Sequence, residues 1–272
     1  MDYETPEEFG YDIILGFRQA AYHEHYDITV TPVTPLFQST QKYDTYMLRN
    51  GYVGAFMIGF ALQDDWMTQF NDTDIPTVLL DNYIKKNPAV SYIGTDSFEG
   101  IDDAIVHLMQ MGHSRIALIN GSRNSMISEQ RRQAYIDGMT AHGLSFSEET
   151  MPYGYYVADA AKDHVSNLLS MGITAILCCN DLMASGVIAE CRKRGFRVPE
   201  DVSVIGFDDL PISAQLVPPL TTIRQDRLVL GKCGFYSLHS LINHVPISRT
   251  MLRPQLIVRK STGTAAIQAD SL

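Results

Sequence analysis

Residues 198–225 read VPEDVSVIGFDDLPISAQLVPPLTTIRQ, and the fold is decided by how this stretch is read. Val202–Phe207 is a short apolar run with Pro199 and Gly206 as its punctuation, the pattern of a strand buried on both faces of a parallel sheet. Asp208 and Asp209 follow at once. In open α/β sheets ligands bind outside the carboxyl ends of the strands, so a side chain just past such a strand faces the binding crevice. Asp208 is therefore a candidate ligand contact; on spacing alone the stronger reading makes Asp208 and Asp209 solvent-facing turn formers, since Asp favours turns.

Upstream, the same grammar repeats. Pro6-Glu7-Glu8 sets proline and acids at a helix start, and Ile13, Ile14, Phe17, Ala20 and Ala21 recur at helical spacing, so a helix is expected over about residues 7–25. Strands are expected at 27–33, 53–58, 77–80, 91–94, 114–120 and 175–179, and helices at 39–50, 62–70, 98–111, 128–142, 159–171 and 182–194. Downstream, Pro218 and Pro219 predict an extended crossover outside the core, because proline cannot donate to a central ladder. A helix over 228–243 and a closing strand over 252–258 precede a polar tail. The alternation predicts an α/β protein with two doubly wound, largely parallel sheets. Such a sheet normally begins with a central strand, yet only Met1–Thr5 precede helix one. Either a first strand lies outside this sequence or helix one packs on a sheet with a gap.

Composition narrows the function. At 272 residues and 45% apolar the chain can bury one large core or two moderate ones, and two subdomains are the better expectation. A net charge of −10 argues against nucleic-acid binding by this chain itself, since acidic groups repel a phosphate backbone. Cys178, Cys179, Cys191 and Cys233 lack metal-ligand or CxxC spacing and read as core residues in a reducing cytoplasm. The acidic amino-terminal end is unlike a secretory signal, and no apolar run is long enough to span a bilayer. No nucleophile elbow, phosphate loop, dinucleotide fingerprint or HExxH is present, and the histidines are scattered. Catalysis, a metal and a cofactor are therefore not expected.

Four motifs in order, GHSRIALING (112–121), NDLMASG (180–186), RVPEDVSVIGFDDLP (197–211) and PPLTTIRQ (218–225), resemble the effector-binding core of the lac repressor (LacI/GalR) family of bacterial transcription regulators. The resemblance covers residues 7 to about 262. It implies a type I periplasmic-binding-protein-like fold of two subdomains, 1–112 with 226–250 and 113–225 with 251–272. Three crossovers are then expected near Gly112–Ser114, Arg224–Asp226 and Thr250–Leu252. It further implies a small effector, usually a sugar, held between the lobes, a homodimer, and DNA contacted only through a helix-turn-helix headpiece not in this sequence. A free-standing solute-binding protein for a transporter is the alternative on the same fold; the absent signal peptide and free cysteines disfavour it.

Carried over residue by residue, the resemblance makes Arg131 the pocket arginine, with Arg132 one register away and Ala134 where the family pattern has glycine. Asn180 and Asp208 become amide and carboxylate contacts to ligand hydroxyls. Tyr156 is the stacking aromatic, with Tyr155 as its register alternative. Asp81, Asp96 and Phe9 are the expected contacts from the amino-terminal part; Gly10 stands where a second aromatic is common. Asp181 reads as the N-cap of the helix that follows it, Asp209 as a turn residue, and Trp66 as packing.

Overall fold

The computed structural model describes residues 3–265; Met1, Asp2 and the polar tail beyond Ala265 lie outside the described residues. The chain divides into two compact units, residues up to Thr95 with Asp226–Leu252, and Asp96–Gln225 with the residues from Arg253 onward. The first division thus falls at Thr95–Asp96 rather than near Gly112, because α5 (Ser97–Gln110) packs on α6 (Met126–Ala141) and belongs with the second unit.

In the first unit β1 (Ala55–Met57), β2 (Thr77–Leu80), β3 (Val90–Thr95) and β8 (Arg249–Leu252) pair in that order, all parallel. The side chains of β2 alternate between two cores, as a pleat requires. Val78 and Leu80 pack with Ile13 of α1 (Phe9–His23) and with Leu230 and Leu238 of α10 (Arg227–Ile242). Leu79 packs on the other face with Tyr43 and Met47 of α3 (Tyr43–Arg49) and Trp66 of α4 (Asp65–Gln69). Trp66 is wholly buried in an aromatic cluster with Tyr43, Phe37 and Phe60, and its indole N–H donates to the Gln41 carbonyl at 2.7 Å. It is packing, as the sequence reading expected, though it is buried rather than on a surface helix face.

Two expectations fail here. The helix expected over 39–50 is two, α2 (Pro35–Thr40) and α3, because Gln41 is extended (φ −137°). Residues 27–33 form no strand and pair with no neighbour among the described residues. Among the described residues β1 is an edge strand of this sheet.

The second unit carries β4 (Ile116–Ile119), β5 (Ala175–Cys178), β6 (Ser203–Asp208), β7 (Thr221–Arg224) and β9 (Gln255–Ile257) in that order, with only β9 antiparallel. Besides α5 on α6, α7 (Ala158–Ser170) packs on α8 (Asp181–Lys193), and one continuous core joins helices and sheet. The prolines at 218–219 do not exclude their neighbours from the sheet: Thr221–Arg224 is a ladder strand, its first three residues buried. Pro219 sits before the strand and contributes its carbonyl, accepting from Lys260 N–H. The single closing strand expected over 252–258 is split, β8 in the first sheet and β9 in the second, with Arg253-Pro254 between them.

Candidate functional site

Parallel strands β4, β5 and β6 deliver their carboxyl ends to one edge of the second unit's sheet, and most of the expected contacts gather there. Beyond β5 the chain turns through Cys179 and Asn180 into α8. Asn180, not Asp181, is the N-cap: its Oδ1 accepts from the Met183 N–H at 2.8 Å, and its amide N–H donates to the Tyr156 carbonyl at 3.3 Å. An amide satisfies both demands because it is acceptor and donor at once.

Asp181 therefore plays a larger part than the capping expected of it. It is wholly buried, and its Oδ2 accepts from Leu210 N–H and Ser213 O–H, both at 2.7 Å, while Oδ1 accepts from Thr222 O–H at 2.6 Å. One carboxylate so pins the turn after β6 and the strand beside it. Burial first, and the neighbouring Asp208 second, push its pKa up to about 7. Gly206 is required by this lock: a Cβ there would lie 2.2 Å from Asp181 Oδ1.

Asp208 closes β6 with φ +108°, a backbone that L residues rarely adopt, and is nearly buried. Its Oδ1 accepts from Gln225 Nε2 at 2.7 Å. Strain of this kind persists where surrounding bonds over-determine it, and it gathers at ligand clamps. Asp209, expected as a turn residue, has a turn's backbone (φ +52°), but its carboxylate also joins Arg224 and Arg259, each at 2.7 Å.

Arg131 projects from α6 and is 3% exposed. Its guanidinium lies 3.6 Å from the centroid of the Phe207 ring, and Nη1 donates to the Cys179 carbonyl at 2.5 Å. Stacking suits a planar, weakly hydrated cation. Arg132, the register alternative, pairs on the surface with Glu148. Tyr156 (φ +62°) lays its ring against Gly121, where a Cβ would approach its Cζ to 2.1 Å, and its hydroxyl meets Ser125 Oγ at 3.4 Å; Tyr155 is 52% exposed. The inward register is Tyr156.

Of the remaining candidates, Asp96 is engaged as the cap of α5, its Oδ1 accepting from Phe98 and Glu99 N–H. Asp81 and Phe9 lie in the first unit: Asp81 follows β2 with φ +60°, and Phe9 is the first residue of α1 and packs against the core there. Sequence reasoning missed Gln225 and Asn120. The first ended the motif PPLTTIRQ, and an amide at a strand end was the available signal; the second follows β4 and keeps its Oδ1 buried with no partner among the described residues. Burial raises the thiol pKa of Cys179 to about 11 and of Cys191 to about 12, and all four cysteines are free, so these thiols are core groups rather than nucleophiles. The edge is thus a rigid array of buried acceptors and donors, suited to replacing the water around a polar ligand.

Residues 105–262 match the family model described as a periplasmic binding protein-like domain. The HTH-type transcriptional repressor PurR of Pasteurella multocida is 32% identical over 255 residues, 92% of this chain and 76% of the repressor. A solved transcriptional regulator CelR–cellobiose complex is 25% identical with a TM-score of 0.84, over 93% of this chain and 79% of that one. The dimeric Lac repressor with an 11-residue carboxyl-terminal deletion is 26% identical with a TM-score of 0.78, over 93% of each chain. With the four motifs in order on two parallel-sheet units, the chain belongs to the LacI/GalR family of transcription regulators, whose effector-binding core it forms.

Proposed function

We propose that the chain senses a small, hydroxyl-bearing molecule, a sugar first among them, at the carboxyl edge of β4–β6, and that this binding controls operator recognition by a DNA-reading domain of the same regulator. The observation that carries the reading is the convergence of Arg131, Asn180 and Asp208, each less than a tenth exposed, on one strand-end edge braced by Asp181 and Gln225. An uncharged polyol needs paired donors and acceptors to replace its water, and a guanidinium beside a carboxylate supplies both. The cellobiose held by the similar CelR regulator supports a carbohydrate, and the dimeric Lac repressor supports function as a homodimer. Tyr156 supplies the apolar face on which a sugar ring stacks.

Control requires that ligand binding favour one of two arrangements by its differential contacts, typically by about 1–3 kcal/mol. The Asp181 lock couples the strand-end turn to β7, so a ligand that draws on Asp208 also bears on the turn at Leu210–Ser213. Thermal unfolding against a panel of mono- and disaccharides and purines tests the reading. A true effector at about 100 times its dissociation constant adds about 2.7 kcal/mol to stability. A panel in which purines shift the midpoint and sugars do not would replace the sugar by a nucleobase; no shift from either class would remove the proposal.

A further inference from the structure

The second unit carries a pocket that the effector reading does not use. It encloses about 500 Å³, the size of a small-molecule site, and its walls are Arg123, residues of the segment 148–155 and residues of α7. The backbone of this segment is held by the sheet. Gly154 N–H donates to the Asn120 carbonyl at 2.8 Å and Tyr155 N–H to the Gly121 carbonyl at 3.1 Å, both just beyond β4. The Tyr153 carbonyl accepts from His164 Nε2 of α7 at 3.0 Å, which assigns a proton to Nε2 and leaves Nδ1 of the neutral ring an acceptor.

Two aromatic faces stand on this fixed backbone. The rings of Tyr153 and Tyr155 lie 6.3 Å apart, inclined by 35°, and Tyr155 is left 52% exposed. The Tyr153 hydroxyl donates to Glu129 Oε1 at 2.9 Å; burial first, and that bond second, raise its pKa, so the phenol stays neutral. A hydrogen bond given to a carboxylate enriches the ring and strengthens its face for a cation. One cation is already seated there: Arg123 Cζ stands 4.2 Å from the Tyr153 centroid. Arg123 is exposed and forms no salt bridge among the described residues, so little else holds it in that seat.

Charge decides the sign of a ligand. Glu148 and Asp163 line the pocket, and Glu129 stands on the Tyr153 hydroxyl; against these three carboxylates are two guanidiniums, Arg123 and the Arg132 that pairs with Glu148. An anion meets the larger repulsion, whereas a cation meets two ring faces and spare acceptors.

We propose that this pocket binds a small organic dication of the alkylguanidine or diamine class, one charged head displacing Arg123 from the Tyr153 face beside Tyr155 and the other reaching Asp163. The occupant is a free small molecule rather than a protein side chain, because the tyrosine faces and the Asp163 carboxylate each call for a positive charge. None of these residues is an effector contact in the reading above, so either proposal can fail alone.

The test titrates the intact chain, carbon-13-labelled in its tyrosine rings, with agmatine, whose guanidinium and ammonium sit at opposite ends of a short alkyl chain. A saturable one-to-one complex with a dissociation constant of about 1 mM or tighter is expected, shifting the ring signals of Tyr153 and Tyr155. N-butylurea, planar and neutral, is expected to bind at least about tenfold more weakly, and acetyl-arginine methylamide, with one charge, at least about threefold more weakly. Arg123, Tyr155 and Asp163 are exposed, so their variants keep the fold. Arg123→Ala should bind agmatine at least about threefold more tightly, Asp163→Asn and Tyr155→Ala at least about threefold more weakly, and Tyr155→Phe like the wild type. No saturation by about 10 mM agmatine, or equal affinity for N-butylurea, would overturn the proposal. Equal affinity for the arginine derivative would replace the free dication by an arginine of another polypeptide, and weaker binding by Arg123→Ala would make Arg123 a wall of the site rather than the group a ligand displaces; either result refutes the assignment.

Discussion

Replacing Asp181 by alanine removes the acceptor of three buried donors, Leu210 N–H, Ser213 O–H and Thr222 O–H, at 2.6–2.7 Å. Each unsatisfied buried donor costs about 1–3 kcal/mol, and the two hydroxyls can rotate whereas the backbone N–H cannot, so a loss of about 3–5 kcal/mol is expected. For a unit of this size that lowers the melting temperature by about 10 °C. Asparagine behaves differently. It keeps an oxygen for Leu210 and Ser213, and its amide faces the Thr222 hydroxyl, which can turn to accept. It also removes a charge held in burial beside Asp208, so Asp181→Asn should cost less than about 1 kcal/mol. The pH dependence gives a second handle. Because the fold raises the Asp181 pKa to about 7, the folded state binds more protons than the unfolded one between the ordinary carboxylate range and pH 7. Wild-type stability from this group therefore falls as pH rises through that window, and the asparagine variant lacks the slope. Urea unfolding of the three proteins at pH 6 and pH 8 decides the matter. Equal losses for alanine and asparagine would refute the hydrogen-bond account and leave charge as the whole role of Asp181.

Other perturbations probe separate parts of the structure. Burial lowers the pKa of His113, whose ring nitrogens meet Thr174 Oγ1 and the Gly263 carbonyl, and of His107. Both are held neutral, so stability is full above about pH 6.5 and declines as pH falls below it; His113→Asn should flatten that decline in thermal melts from pH 7.5 to 5, and an unchanged slope would exclude His113. Gly121→Ala puts a methyl group 2.1 Å from Tyr156 Cζ and must expel the ring, lowering effector affinity by about tenfold; unaltered affinity would take Tyr156 out of the site. Arg131→Lys keeps the charge and loses the planar stack on Phe207, so a loss of about 1–2 kcal/mol in effector binding is expected, and wild-type affinity would mean that the fork is unused.

The second unit was the more legible of the two, and the reason is physical. Its strands are continuous apolar runs whose burial on both faces is written in their composition, and Asp208 and Asn180 follow them at the sheet edge. What escaped was a division of labour set by tertiary contacts: the cap fell to Asn180 and the lock to Asp181, because the turn at Leu210–Ser213 and Thr222 come from distant sequence. Pro218-Pro219 argued locally against a ladder that begins only at Thr221. In the first unit, residues 27–33 have a strand's pattern and no strand, since pattern gives the tendency and a partner edge gives the ladder.

Calorimetric titration of Asp208→Asn with the sugar that most stabilises the wild type tests the central claim most directly. The asparagine retains an oxygen for Gln225 Nε2, so the fold is expected to persist while a charged acceptor is lost, a change of about 1.5–3 kcal/mol or roughly 10- to 150-fold in dissociation constant. A well-folded Asp208→Asn variant that binds the same sugar within about twofold of the wild type would contradict the placement of the effector at this strand-end edge.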